Sequence, residues 1–441
     1  MDFLTAGFLC IGLLLLLMVL GVPIALSFVL GGFLCSFLMG NLNGALSILG
    51  SSLYHTIEGP TWVCVPLFIF MGGIASVGAF ARRAYECMSV LTAKLPGGLG
   101  IATCYSCAAF GAISGSSLAT TAIFGRLAMP EMTRYGYDKG FAAACIAAAG
   151  TFASMIPPSL MFIIYALFTQ SSVGRLFAAG VMPGLLTACV YAVFIVYKAK
   201  RRPDLVPSTK AVIDALPPKE RKRRVLGIWP VLIIAFCVLG GIYGGIFTST
   251  EAAAAGALLT LALGVCLRDI RSKRVVYEEM KASASTTAML FLINVGALYY
   301  SRVLAMTGLP QEITMLVHAL DVPSFLVMGA ILLIMFILGM IMIPVGIYAL
   351  TLPIIVPILQ SYNWDIIWFG VLALKMTEIG CITPPVGLNI FAIKGVMGKG
   401  TTLDSLFKGI WPFVGIELIT LGILWAFPQI SLWLPNLLFG K

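Results

Sequence analysis

Ile156-Pro157-Pro158 and Thr383-Pro384-Pro385 each place two consecutive prolines inside an apolar run, 227 positions apart (157 to 384). Proline removes a backbone donor and clashes with the preceding turn, so two in a row interrupt a helix. In a bilayer the freed carbonyls are tolerated only where protein, water or an ion satisfies them. Upstream of the first break stands Ser114-Gly115-Ser116-Ser117. Its three hydroxyls and nearby carbonyls are oxygen ligands, and Gly115 permits a sharp tip. Thr383, with carbonyls near Gly380 and Val386, forms the mirror set. Oxygen donors without a neighbouring carboxylate suit a hard monovalent cation such as sodium better than a transition metal or a calcium ion. The plainer alternative is a kink healed by neighbouring hydroxyls, with Ser and Gly serving close packing.

Few ionisable residues fall inside the apolar runs: Glu58, Glu251, Arg302, Lys375, Glu378 and Glu417. Lys375 and Glu378 are spaced i, i+3 just before the second break and read first as a self-neutralising pair. With so little fixed negative charge, and with half-helix N-termini aimed inward, the expected cargo is a small organic anion. Eleven Cys lie almost all within apolar runs, and two His, His55 and His318, are too few for a His-rich metal site. The cysteines read as small core residues. No organic cofactor is expected.

The elements that must position these residues are membrane helices. Of 441 residues, 60% are apolar and 10% charged, against about 25% charged in soluble domains; mean hydropathy is +1.02. A soluble enzyme and a disordered chain are both excluded. Charge-free runs leave room for ten or eleven spans of about 20 residues. The net charge of +10 reflects basic cytoplasmic loops rather than nucleic-acid binding. The first apolar run has no basic start, so no signal cleavage is expected.

Basic loops then set orientation. Residues 1–60 hold two scaffold spans. Residues 61–197 form a first repeat, with a re-entrant hairpin at about 97–130 and a broken helix at about 140–168. The Pro-rich basic segment 198–226 is the cytoplasmic linker, and 227–282 a scaffold hairpin and arm. Residues 283–398 form the second repeat, with its hairpin at about 322–357 and its broken helix at about 366–396. A last span occupies 399–441. The spacing between the Pro-Pro pairs recurs for Pro130 and Pro357, Asp138 and Asp365, and Phe141 and Trp368. One block faces the cytoplasm and the other the outside, which is an inverted repeat of the kind secondary transporters use. The expected fold is therefore an all-α polytopic membrane protein with two hairpins and two broken helices.

Several segments together resemble the large membrane subunit of tripartite ATP-independent periplasmic (TRAP) transporters. They include Pro66-Leu67-Phe68-Ile69-Phe70-Met71-Gly72, Gly111-Ala112-Ile113-Ser114-Gly115-Ser116-Ser117 and Gly136-Tyr137-Asp138. Ile156-Pro157-Pro158-Ser159, Ala179-Gly180-Val181-Met182-Pro183-Gly184, Gly244-Gly245-Ile246-Phe247-Thr248 and Thr383-Pro384-Pro385-Val386-Gly387 continue the set. The resemblance implies an elevator-type sodium symporter in the bacterial inner membrane. Its partners would be a small four-helix membrane subunit, a periplasmic substrate-binding protein and the surrounding lipid. It implies one sodium site from Ser114, Ser116 and carbonyls near Ala153, Ile156 and Pro158. A second would use the segment around Gly339 with Gly380, Thr383 and Val386. Ser117, Ser159, Lys375 and Asn389 are the expected substrate contacts. Many relatives carry an acid shortly after the glycine matching Gly339; here the stretch Gly339-Met340-Ile341-Met342-Ile343-Pro344 has none.

The leading expectation is sodium-coupled import of a carboxylate or sulfonate delivered by a binding protein. The alternative is a stand-alone inverted-repeat sodium/dicarboxylate symporter or ion antiporter. An intramembrane enzyme would need a nucleophile–base pair or metal ligands in the bilayer, and both His lie outside the repeated motifs. A pure scaffold has no need of paired broken helices.

Overall fold

The computed structural model describes residues 3–40, 42–208, 214–397 and 403–440, and among these every regular element is a helix. The chain opens with α1 (Phe3–Val19), α2 (Ile24–Met39) and α3 (Leu42–Glu58). Three helices thus replace the two spans expected in the first 60 residues. The run is cut at Gly21-Val22-Pro23, where Gly21 has φ +80°, and again at Gly40. A single 3-10 turn leads into α4 (Cys64–Val77) and α5 (Phe80–Thr92).

α6 (Gly98–Ser114) and α7 (Ser117–Arg134) form a helix–turn–helix, followed by α8 (Lys139–Ala153) and α9 (Leu160–Thr169) on either side of the first Pro-Pro. α10 (Val173–Arg201) runs into the linker, where α11 (Pro218–Leu226) forms. α12 (Trp229–Tyr243) and α13 (Ser249–Cys266) are the out-and-back pair, and α13 starts at a capping box between Thr248 and Glu251. α14 (Lys273–Met306) is one helix of 34 residues, so it crosses the expected boundary at 282–283 without a break. After α15 (Leu309–Ala319), the pattern recurs: α16 (Ser324–Gly339) and α17 (Pro344–Ser361), then α18 (Ile366–Gly380) and α19 (Leu388–Met397) around the second Pro-Pro. α20 (Leu403–Ala426) is followed by an additional helix, α21 (Gln429–Phe439). The expected boundary at 398–399 lies outside the described residues.

Among the described residues, six helices are long and apolar enough to cross a membrane, with α11 and α12 taken together over Pro218–Tyr243, or seven if one bent pair counts as a span. This is fewer than the ten or eleven that charge-free length allows. Gly and Pro breaks divide other apolar stretches into helices of 10–17 residues.

The halves of the pattern start alike. Asp138 Oδ1 accepts the N–H of Phe141 at 2.8 Å and caps α8. Asp365 Oδ1 accepts from Ile367 and Trp368 at 2.7 and 3.0 Å and caps α18. Side-chain caps of this kind satisfy otherwise orphaned N–H groups. The peptide bonds Pro157–Pro158 and Pro384–Pro385 are both cis.

α8 and α18 are the innermost helices. Every residue from Phe141 to Ala153 and from Ile367 to Gly380 is buried. α8 is rich in Ala, and small side chains let neighbouring backbones approach closely. Four helices meet at a buried polar network. Lys375 of α18 forms an ion pair with Glu417 of α20 and donates to Thr187 Oγ1 of α10 at 2.9 Å. Glu417 also accepts from Thr151 of α8 at 3.2 Å and from Tyr191 of α10. The Lys375–Glu378 pair read from the sequence is therefore corrected. Glu417 comes from a neighbouring helix to take Lys375, while Glu378 Oε1 accepts from Ser154 at 2.9 Å.

Removing one member of a buried ion pair strands the other charge. Lys375→Met should cost about 3–5 kcal/mol, read as a loss of thermal stability in detergent. Lys375→Met combined with Glu417→Leu should recover much of it. A double variant as unstable as the single one would contradict the pairing.

Candidate functional site

The first turn and the first break touch through backbone. Gly115 ends α6 with φ +60°, and its carbonyl accepts the N–H of Leu160, the first residue of α9, at 3.2 Å. A Cβ on Gly115 would lie 2.7 Å from the Pro158 carbonyl oxygen, and one on Gly111 would lie 2.5 Å from that of Ala153. From the other side, Gly72 of α4 approaches Ser114; a Cβ there would lie 2.9 Å from the Ser114 carbonyl oxygen. Ser114 Oγ and Thr120 Oγ1 share a hydrogen bond of 2.9 Å. Ser116 Oγ caps α7 by accepting from Ala119, and Ser159 Oγ caps α9 by accepting from Phe162, each at 3.4 Å. Ile156 lies within the same break and packs against Gly184 of α10. The fold thus gathers Ser114, Ser116, Ala153, Ile156 and Pro158, with the positive ends of α7 and α9, at one locus.

The second turn and break repeat this contact. Gly339 ends α16 and Gly380 ends α18. A Cβ on Gly380 would lie 2.5 Å from the carbonyl carbon of Gly339, and one on Gly339 would lie 3.1 Å from the Thr377 carbonyl oxygen. Gly111 with Ala153 and Gly339 with Gly380 thus occupy matching places in the two units. Thr383 turns its hydroxyl to the Ile379 carbonyl at 2.7 Å and its N–H to Gly380 at 3.0 Å. Val386 stands in the break, before Gly387 at φ +65°.

Chemically, both loci gather backbone carbonyl and side-chain hydroxyl oxygens at breaks between helices. Such donors suit a hard monovalent cation. Among the described residues no group of three or more His, Cys, Asp or Glu could hold a metal ion. Asn389 at the start of α19 is fully buried, and both its amide atoms lack a partner. Glu378 Oε2 is likewise buried and unpartnered. Ser117 and Ser159 are buried beside the first locus.

A cavity of about 350 Å³ opens between α4, the first turn, α9 and α14, lined in part by Ser76, Ser114, Ser116, Pro158, Glu279 and Ser283. Lys375, held by Glu417 and Thr187, does not line it. Glu279 was not apparent from the sequence. It belongs to the Glu278-Glu279-Met280-Lys281 stretch, whose charges look like a solvated helix end. The sequence signal is Gly73 of α4, where a Cβ would lie 2.6 Å from Glu279 Oε2. A second cavity of about 470 Å³ also includes Ser76 and is lined by Arg82, Arg268, Asp269 and Arg271. A larger cavity of about 610 Å³, between α1 and α14–α17, is walled almost wholly by aliphatic side chains such as Leu15 and Ile331, with Tyr300 and Thr351 as its polar residues.

Gly111→Ala and Gly380→Ala should each push a turn off its break. Overpacking of this kind costs about 1–3 kcal/mol. At Gly415 and Gly422 an added methyl group would meet nothing within 4 Å, so both should tolerate Ala without such a loss. Thermal unfolding of the four variants checks this, and equal tolerance at all four positions would contradict the close contacts.

Comparison with known proteins gives one family model over residues 11–430: tripartite ATP-independent periplasmic transporter, DctM component. The chain is 35% identical to the C4-dicarboxylate TRAP transporter large permease protein DctM of Vibrio cholerae, over 96% of each chain. It is 32% identical to the ectoine TRAP transporter large permease protein TeaC of Halomonas elongata, over 97% of this chain and 98% of that one. The solved structure of the Alcanivorax borkumensis YdaH transporter shares the fold, with a TM-score of 0.64 at 12% identity, covering 89% of this chain and 90% of that one.

Proposed function

Because the chain belongs to the DctM component family of tripartite ATP-independent periplasmic transporters, we propose that it imports a small organic acid together with sodium ions. It is a multi-pass permease of the bacterial inner membrane, not an enzyme. The family implies a small membrane subunit and a periplasmic binding protein as partners, and in this reading the binding protein delivers the cargo to the outer face.

One observation carries the reading: two turns, each closed by backbone onto a Pro-Pro break, at Gly115 with Leu160 and at Gly339 with Gly380. One sodium ion would be held by Ser114, Ser116 and carbonyls of Ala153, Ile156 and Pro158. A second would be held by Gly339, Gly380, Thr383 and Val386. Ser117, Ser159 and Asn389 remain substrate candidates beside these loci. Lys375 acts instead through the packing of α18 on α10 and α20. In an elevator cycle the two units would move as one body, since a shared central site in an inverted repeat is exposed by rigid motion rather than by two separate gates. The cargo is a carboxylate or sulfonate.

Reconstituted uptake, with the binding protein present, should require sodium and no ATP. Replacing sodium with potassium should abolish it; undiminished uptake in potassium would remove the sodium assignment.

Ser114→Ala and Ser116→Ala should act through the ion and leave folding intact. Loss of one ligand, at roughly 1–2 kcal/mol, weakens apparent sodium affinity about 5–30-fold. Normal expression with unchanged sodium dependence would assign these serines to packing alone.

A further inference from the structure

The cavity beside the first turn carries one charged side chain, and that side chain is an acid. Glu279 lines the roughly 350 Å³ space together with Ser114, Ser116 and Pro158. It makes no hydrogen bond or ion pair with any described residue. Its carboxylate lies over Gly73, the position on α4 where a methyl group would collide with Oε2, and Ser283 and Thr286 follow along the same wall. The same cavity is lined at Ser116 and Leu160 by the starts of α7 and α9, where helix dipoles present partial positive charge. The cavity is therefore electrically two-ended.

We propose that the preferred substrate is a zwitterion, an organic acid that also carries a cationic nitrogen. Its carboxylate faces the helix starts at Ser116 and Leu160, and its cation faces Glu279. The inference rests on the transport reading above and narrows it to a substrate class. A dicarboxylate would set a second negative group against Glu279; the single sodium ion proposed at Ser114 and Ser116 offsets only the first, and no cationic side chain lines the space to offset the other. Like charges so placed repel, and each loses solvation. A zwitterion leaves both ends paired. The neighbouring cavity shares Ser76 and is lined by Arg82, Arg268 and Arg271 against one acid, Asp269, so its net field is positive. Gly73 has a definite part in this design: a larger residue would push the carboxylate out of place.

The test uses the purified membrane assembly and two probes, ectoine as the zwitterion and succinate as the dianion. Binding is read by ligand-dependent thermal stabilisation at fixed sodium. Ectoine should stabilise the native assembly and succinate should not. Glu279→Gln should weaken the ectoine response roughly 10- to 100-fold, as expected on losing a hydrogen-bonded charge, and should improve the response to succinate. Glu279→Asp should keep the preference. Gly73→Ala should weaken ectoine while retaining the acid, so the proposal stays testable if one variant fails to fold. Succinate binding the native assembly as tightly as ectoine would overturn the proposal. So would an ectoine response unchanged in Glu279→Gln, or a change confined to sodium affinity. Repeating the native titration in potassium separates the two readings. An ectoine preference that persists without sodium removes the symport and leaves the charge recognition standing.

Discussion

Hydrocarbon does not hydrogen-bond, so every interruption of a helix in a bilayer must be closed by something other than solvent. The architecture around Pro157 and Pro384 answers that constraint twice. In each unit a glycine-bearing turn is brought onto the break, and the contact is made by backbone: Gly115 with Leu160, Gly339 with Gly380. Side chains are absent where the chains touch, which is why glycine stands at 72, 111, 115, 339 and 380.

The buried network between Lys375 and Glu417 solves a different problem. α8 and α18 are fully enclosed, and helices in contact inside a membrane gain little from hydrophobic burial. An ion pair with hydroxyl partners on α8 and α10 fixes their register instead. The cost of desolvation is real, and Thr151, Thr187 and Tyr191 offset it by occupying the remaining polar valences.

Much of this was legible in the residues. The Pro-Pro pairs mark both breaks, Ser114 to Ser117 marks the first turn, and the matched Asp138 and Asp365 prove to be matched helix caps. These features are local: the residue type dictates backbone behaviour within a few positions. What the sequence hid is what depends on a distant helix. Glu417 finds Lys375 from 42 positions away (375 to 417), against a nearer acid at Glu378. Glu279 reaches a cavity wall because α14 continues unbroken past its charged start, and charge alone gave no sign of that continuity. The third helix in the first 60 residues was concealed by the lack of charge between Asp2 and Glu58, with only Gly21-Val22-Pro23 and Gly40 to divide the run.

The opening of the midpoint linker is held in place rather than trailing free. Leu205 accepts the Asp138 N–H at 3.0 Å, and Val206, 1% exposed, fits over Gly97 at the foot of α6. The start of α8 is therefore finished by residues that follow α10. Anyone dividing this chain into two co-expressed halves, or inserting a reporter between them, should regard Val206 as belonging to the first half. A cut upstream of it would deprive α8 of its lid and expose the base of the first hairpin, whereas the stretch beginning at Pro217 caps a separate basic helix and can be claimed by the second.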